Sequence, residues 1–169
     1  MQSLGDAIRK HEIRQSSTKV FLVRGHDESA CETAARFLEK LGLKAVILHE
    51  QPSSGKTLIE KIERYSDVAF AVVLLTPDDI GAEQVPNAKR SPRARQNVIL
   101  ELGYFMGKLG RKNVAAILKG EVERPSDYDG VNYITMDPHG AWQLKLAQEL
   151  DAAGLKVDLN RLVAPRALQ

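Results

Sequence analysis

The residues Arg95 to Gly110 (RQNVILELGYFMGKLG) place one carboxylate in unusually apolar company. At 100° per residue Val98, Leu102, Met106 and Leu109 fall on one face, the period of an amphipathic helix. Glu101 lies about a quarter turn off that stripe, at the edge between core and water. A carboxylate there loses hydration, which raises the free energy of its charged form unless it has a partner or a task. The structural reading is a solvated glutamate paired with Lys108 or Arg95. The chemical reading is a rigid anion that stabilises positive charge developing on a substrate. Asn97, one turn earlier, would orient Glu101 or a substrate hydroxyl, or be an ordinary surface amide.

Other polar groups gather after apolar runs. Arg24, Gly25, His26 and Asp27 (in RGHDE) read as polar lining, with Arg24 available to a pyrophosphate. His26, Asp27 and His49 lack HxxxH or HExxH spacing, so no metal is expected. Ser53 to Thr57 (SSGKT) has the end of a phosphate-binding P-loop, but Glu50 stands where that pattern needs its first glycine. What survives is a turn in which Ser54, Gly55 and Lys56 could hold a phosphate at a helix N-terminus. The same residues also fit a capping box, Thr57 with Glu60 three positions on. Asp78 and Asp79 would pair with ribose hydroxyls or cap their own loop. Cys31 reads as a packed thiol, and no Ser-His-Asp or Cys-His arrangement is legible. Gly103, Gly107 and Gly110 suggest close approach of another surface, either the domain's own sheet or a stacked neighbour.

The elements that must hold these groups alternate. Lys19–Val23 (KVFLV), Lys44–His49 (KAVILH), Val68–Leu75 (VAFAVVLL), Val114–Leu118 (VAAIL) and Val131–Met136 (VNYITM) read as strands. Between them Ser29–Gly42, Thr57–Ser66, Ala94–Leu109 and Ala141–Ala153 carry helical periods, and Thr76–Arg93 reads as an irregular, functional or mobile loop. The spacing predicts βαβ units, hence one α/β domain: a five-stranded parallel sheet with helices on both faces. In such sheets ligands bind outside the carboxyl ends of the strands, which gathers the segments after the first three strands and the Glu101 helix at one crevice. Residues 1–18 read as a leader or linker, 19–158 as the domain, and 159–169 as a tail, with the chain from Leu155 expected to pack loosely.

Composition narrows the field. The net charge of +2 and the absence of an aromatic-interleaved basic patch argue against nucleic acid as partner. One cysteine excludes an internal disulfide and favours a reducing, cytoplasmic setting. No run of about 18 apolar residues argues for a membrane span.

The string RARQNVILELGYFMGKLG, with VFLVRGHDE and LHEQPSSGKT upstream, resembles the TIR-like domains of nucleotide-binding proteins. These also serve as effectors in bacterial antiphage systems, TIR–STING fusions among them. The resemblance runs from about Lys19 to Asp158 and implies a flavodoxin-like TIR fold. It puts Glu101 on the position of the catalytic glutamate of NAD-cleaving TIR domains. The 53–57 turn falls on the BB loop, which implies nucleotide contact and domain-to-domain assembly. The activity implied is an NAD⁺ glycohydrolase, switched on by self-association, with NAD⁺ as substrate and no cofactor. A sensor domain or protein responding to a cyclic nucleotide is the implied partner. Substrate contacts are expected from Arg24, Gly25, His26, Asp27, Ser54, Gly55, Lys56, Asp78 and Asn97. Two alternatives stay open: a non-catalytic nucleotide-binding or TIR–TIR scaffold, and a nucleoside deoxyribosyltransferase-like enzyme.

Overall fold

A computed structural model describes residues 18–51, 55–125 and 132–163. Five parallel strands form its sheet: β1 (Lys19–Val23), β2 (Lys44–Ile47), β3 (Phe70–Leu75), β6 (Val114–Leu118) and β7 (Asn132–Thr135), in the order β2-β1-β3-β6-β7. This is the flavodoxin-like order, in which the chain reverses its winding between β1 and β3 and opens a crevice there. The sheet is buried on both sides, and every residue of β3 and β6 is inaccessible.

Alternation along the strands sorts the core into two layers. Val20, Leu22, Phe70, Val72 and Leu74 face α1 (Glu28–Lys40) and α4 (Ala141–Ala152). Phe21, Val23, Ala71, Val73 and Leu75 face α2 (Leu58–Tyr65) and α3 (Gln96–Leu109). Helix α1 buries Ala30, Ala34, Phe37 and Leu38 against the first layer, and Phe37 meets Trp142 of α4 edge-on at 5.2 Å.

Several boundaries differ from the sequence expectation, each for a local reason. The second strand stops at Ile47 because Leu48–Glu50 turn into a 3₁₀ helix, with Leu48 packed in the α3 layer beside Val46. On α3, Phe105 is fully buried and Met106 only half-buried, so the stripe is Val98, Leu102, Phe105 and Leu109. Phe105 packs on Phe21 with ring centroids 4.5 Å apart and the planes tilted by 44°. The segment between β3 and α3 is a small ribbon, with β4 (Asp79–Gly81) antiparallel to β5 (Ser91–Arg93). Gly81 lies under the Arg93 guanidinium, where a Cβ would come within 1.7 Å of Cζ.

The segment from Leu155 to Leu162 is packed, not loose. Leu155 is 2% exposed in the α1–α4 layer, with Val157 and Leu162 packed against it. A short helix α5 (Asn160–Val163) follows, from which Arg161 donates to the Lys40 carbonyl at the end of α1. The proposed leader, apart from Thr18, and the last residues of the tail lie outside the described residues.

Candidate active site

Helix α3 follows the β3 loop, so it runs back along the sheet and its first turns lie at the carboxyl ends of the strands. Helical side chains lean toward the N-terminus, which carries Glu101 over the turn holding Asn97 and Val98. Glu101 is 7% exposed, and no hydrogen bond or ion pair reaches it among the described residues. Burial alone pushes its carboxyl up to about 7. Both cations offered by the structural reading are engaged elsewhere. Lys108 donates to Ser66 Oγ and to Tyr104 Oη, and Arg95 donates to His26 Nε2. Asn97 is exposed, one turn before Glu101.

The β1 and β3 loops are tied together beside it. Asp78 Oδ2 accepts from Thr76 Oγ1 at 2.9 Å and from the His26 N–H at 3.3 Å. Its carboxylate sits over Gly25, where a Cβ would come within 1.7 Å of Oδ2. Gly25 and Asp78 thus form a fastening between two loops. Asp27 caps α1, accepting from the Ala30 N–H at 2.9 Å, and binds Lys119 Nζ at 2.6 Å. Burial would raise the Asp27 carboxyl, but the Lys119 and Ala30 hydrogen bonds hold it below its ordinary value. Lys119, immediately after β6, is a crevice residue the sequence reading missed. The rule that ligands meet the carboxyl ends of strands could have found it.

The structure separates Arg24 from Glu101. Arg24 continues the parity of Val20 and Leu22 and points to the α1 side, pairing with Glu28 at 3.6 Å. There it borders a cleft of about 390 Å³ with Cys31, Ala35, Ile47 and Glu50. Cys31 is packed as expected, and burial pushes its thiol up to about 11. Glu101 lies on the opposite, α2–α3 side. The BB-loop segment leads into α2 on that same side. Its Gly55 has a positive φ of 72°, Lys56 is exposed, and Thr57 with Glu60 forms the capping box. Ser53, Ser54 and the side chain of His49 lie outside the described residues. No group of three or more His, Cys, Asp or Glu among the described residues could hold a metal.

Gly107 is exposed, and a Cβ there would meet nothing within 4 Å. Packing against the domain's own sheet therefore does not account for that glycine.

The sheet order, the crevice and a buried carboxylate on the helix after β3 can be set beside known proteins. The family described as "CAP12/Pycsar effector protein, TIR domain" matches residues 19–138. The chain belongs to this TIR family. The TIR chain is 48% identical over 152 residues to the uncharacterized protein YuaY of Escherichia coli K12, covering 89% of this chain and 50% of YuaY. It is 34% identical over 119 residues to protein tirC of Dictyostelium discoideum, covering 66% of this chain and 57% of tirC. It is 46% identical over 83 residues to the Pycsar effector protein BcPycTIR of Burkholderia cepacia, covering 45% of this chain and 25% of that protein. The chain spans about half the length of YuaY and tirC. Among its described residues no helix is long and apolar enough to cross a membrane.

Proposed function

We propose that this TIR domain is an NAD⁺ glycohydrolase acting as an antiphage effector, with Glu101 as its catalytic residue. The observation that carries this reading is a carboxylate 7% exposed, unpaired among the described residues, on the second turn of the helix that follows the β3 loop. Cleaving nicotinamide from NAD⁺ breaks the C1′–N bond, and the bonding electrons go to the pyridinium nitrogen. Nicotinamide leaves neutral, so the leaving group needs no general acid, unlike the glycosidic oxygen that ordinary glycosidases must protonate. The ribose left behind is an oxocarbenium-like cation, which a desolvated carboxylate stabilises strongly. Water then adds at C1′ and gives up a proton, yielding ADP-ribose. NAD⁺ is the substrate and no cofactor is required.

The raised pKa gives this chemistry a pH signature. Only the carboxylate form of Glu101 stabilises the cation, so kcat/KM should climb as pH rises through about 7 and level off above it. Self-association is part of the proposal, supported by the exposed Gly107 in open space. The relatives named as Pycsar effectors support a setting in which a sensor of cyclic nucleotides controls the domain.

The test is nicotinamide release from NAD⁺ with the chain titrated to high concentration, with and without a crowding agent. Steeply concentration-dependent release that is absent in Glu101→Gln is the expected result. Release unchanged by that substitution overturns the assignment. Turnover of a deoxynucleoside panel in place of NAD⁺ would favour the deoxyribosyltransferase-like chemistry instead.

A further inference from the structure

We propose that Arg95 and His26 together form the anion site that receives the pyrophosphate of the dinucleotide; this rests on the NAD⁺ reading above. The two side chains come from positions 69 residues apart, one just after β1 and the other at the start of α3, where the Arg95 guanidinium donates to His26 Nε2. A guanidinium only donates, so His26 Nε2 is the acceptor in this contact. Arg95 and His26 thus lie within reach of one another, and each can turn an N–H toward a shared anion. Arg95 has no carboxylate partner among the described residues, whereas Arg24, Arg93 and Lys119 are each paired with one.

Arg95 is also the residue that opens α3. The helix has fourteen residues, no side-chain cap and no acid in its first turn, so its free N–H groups and positive end face the same place. A second, independent observation lies on the second turn of the same helix: Glu101, 7% exposed and without a partner among the described residues, leaning toward that end. Six residues separate the two, about 9 Å of helix rise, and the lean of Glu101 shortens the gap. That span suits one ribose held between the carboxylate at C1′ and a phosphate at C5′. On substrate entry the guanidinium turns from the imidazole to the phosphate oxygens, and its planar fork suits bidentate contact. The site thereby distinguishes a dinucleotide from a bare nucleoside. It also takes over the role that the sequence suggested for Arg24, which lies on the other side of the sheet.

Calorimetric titration of the full chain with ADP-ribose and with adenosine tests the site without any turnover. Arg95→Gln is expected to weaken ADP-ribose about tenfold or more, leave adenosine unchanged, and raise KM for NAD⁺ by a similar factor with kcat within a few-fold. Release of nicotinamide from nicotinamide riboside, which has no phosphate, should be the same in both proteins. His26→Gln, which preserves a donor, is expected to lose less. Equal ADP-ribose affinity in wild type and Arg95→Gln overturns the site. So does equal loss of ADP-ribose and adenosine, which would mark Arg95 as purely structural. ADP-ribose bound through Arg95 without nicotinamide release at any concentration would uphold the anion site and remove the glycohydrolase reading. Release that depends on Glu101 but ignores Arg95 would do the reverse.

Discussion

Helix α3 carries a carboxylate near one end and an amine near the other, and the protein treats them in opposite ways. Lys108 donates to Ser66 and Tyr104, and lies over the Tyr104 ring at 5.5 Å. Ser66 is 1% exposed and donates in turn to the Glu63 carbonyl. Every polar group in that cluster has a partner, and its work is to lock the end of α2 to the end of α3. Glu101, two turns away, has no partner among the described residues and is pushed up to about 7 by burial alone. Satisfied polar groups hold a fold in one arrangement; a buried charge left unsatisfied costs stability and persists where it has a use.

The sharpest way to break this comparison is Glu101→Gln. Nicotinamide release should fall by about 10²–10³-fold, the usual scale for losing one electrostatic stabiliser of a transition state. The same substitution should stabilise the fold. The unfolded chain gives up this proton near 4.5, while the folded protein holds it to about 7. Folding stability therefore falls as pH rises between those values, and the whole penalty, about 3 kcal/mol, stands above 7. Thermal melts should show Glu101→Gln several degrees above wild type at pH 8, the gap closing below pH 4.5. A variant that melts lower at pH 8 would mean that Glu101 has a partner in solution.

The Lys108 end should respond with the opposite sign. Ser66→Ala removes a buried hydroxyl from a complete cluster and should cost about 1–3 kcal/mol by denaturant unfolding, with per-molecule turnover kept. Turnover lost as completely as in Glu101→Gln would show that the two ends act as one. The smallest effect lies between them, at Gly107. Its open surroundings predict that Gly107→Ala gains about 0.5–1 kcal/mol in helix stability. If copies approach one another on this face, the same variant will need more protein to reach half-maximal release. An unchanged concentration dependence places the assembly contact elsewhere.

Much of the architecture was legible because it follows from periodicity. The apolar run of β3 and the spacing of α1 gave those elements nearly to the residue, and alternation gave the parallel sheet. Thr57 and Glu60 announced their capping box through residue type alone. What escaped was of two kinds. One was cooperative: β4 and β5 are three residues each, and β5 contains Pro92, so neither has a pattern apart from the partner it pairs with. Leu155 looks like part of a tail until α1 and α4 are seen to close over it. The other was a question of direction. Arg24 was grouped with Glu101 by position after a strand, yet the parity of Val20 and Leu22 already sends it to the opposite side of the sheet. Glu101 was found through its apolar neighbours, but its depth follows from Phe105, not Met106, turning inward. That neither Lys108 nor Arg95 reaches it depends on Ser66 and His26, far away in sequence, and on Tyr104 one turn before Lys108.

The packing of Leu155 also decides where this module ends for anyone who wishes to move it. The family match closes at residue 138, before α4 begins. A fragment cut there would leave Phe37, Leu38 and the outer side of β6 and β7 without Trp142, Leu146, Leu150 and Leu155, an open apolar face inviting aggregation. A transplantable unit must keep at least the chain through Leu155, and keeping Arg161 retains its tie to α1 as well. The domain therefore carries its own lid on the side away from Glu101, and any fusion partner is best joined beyond it.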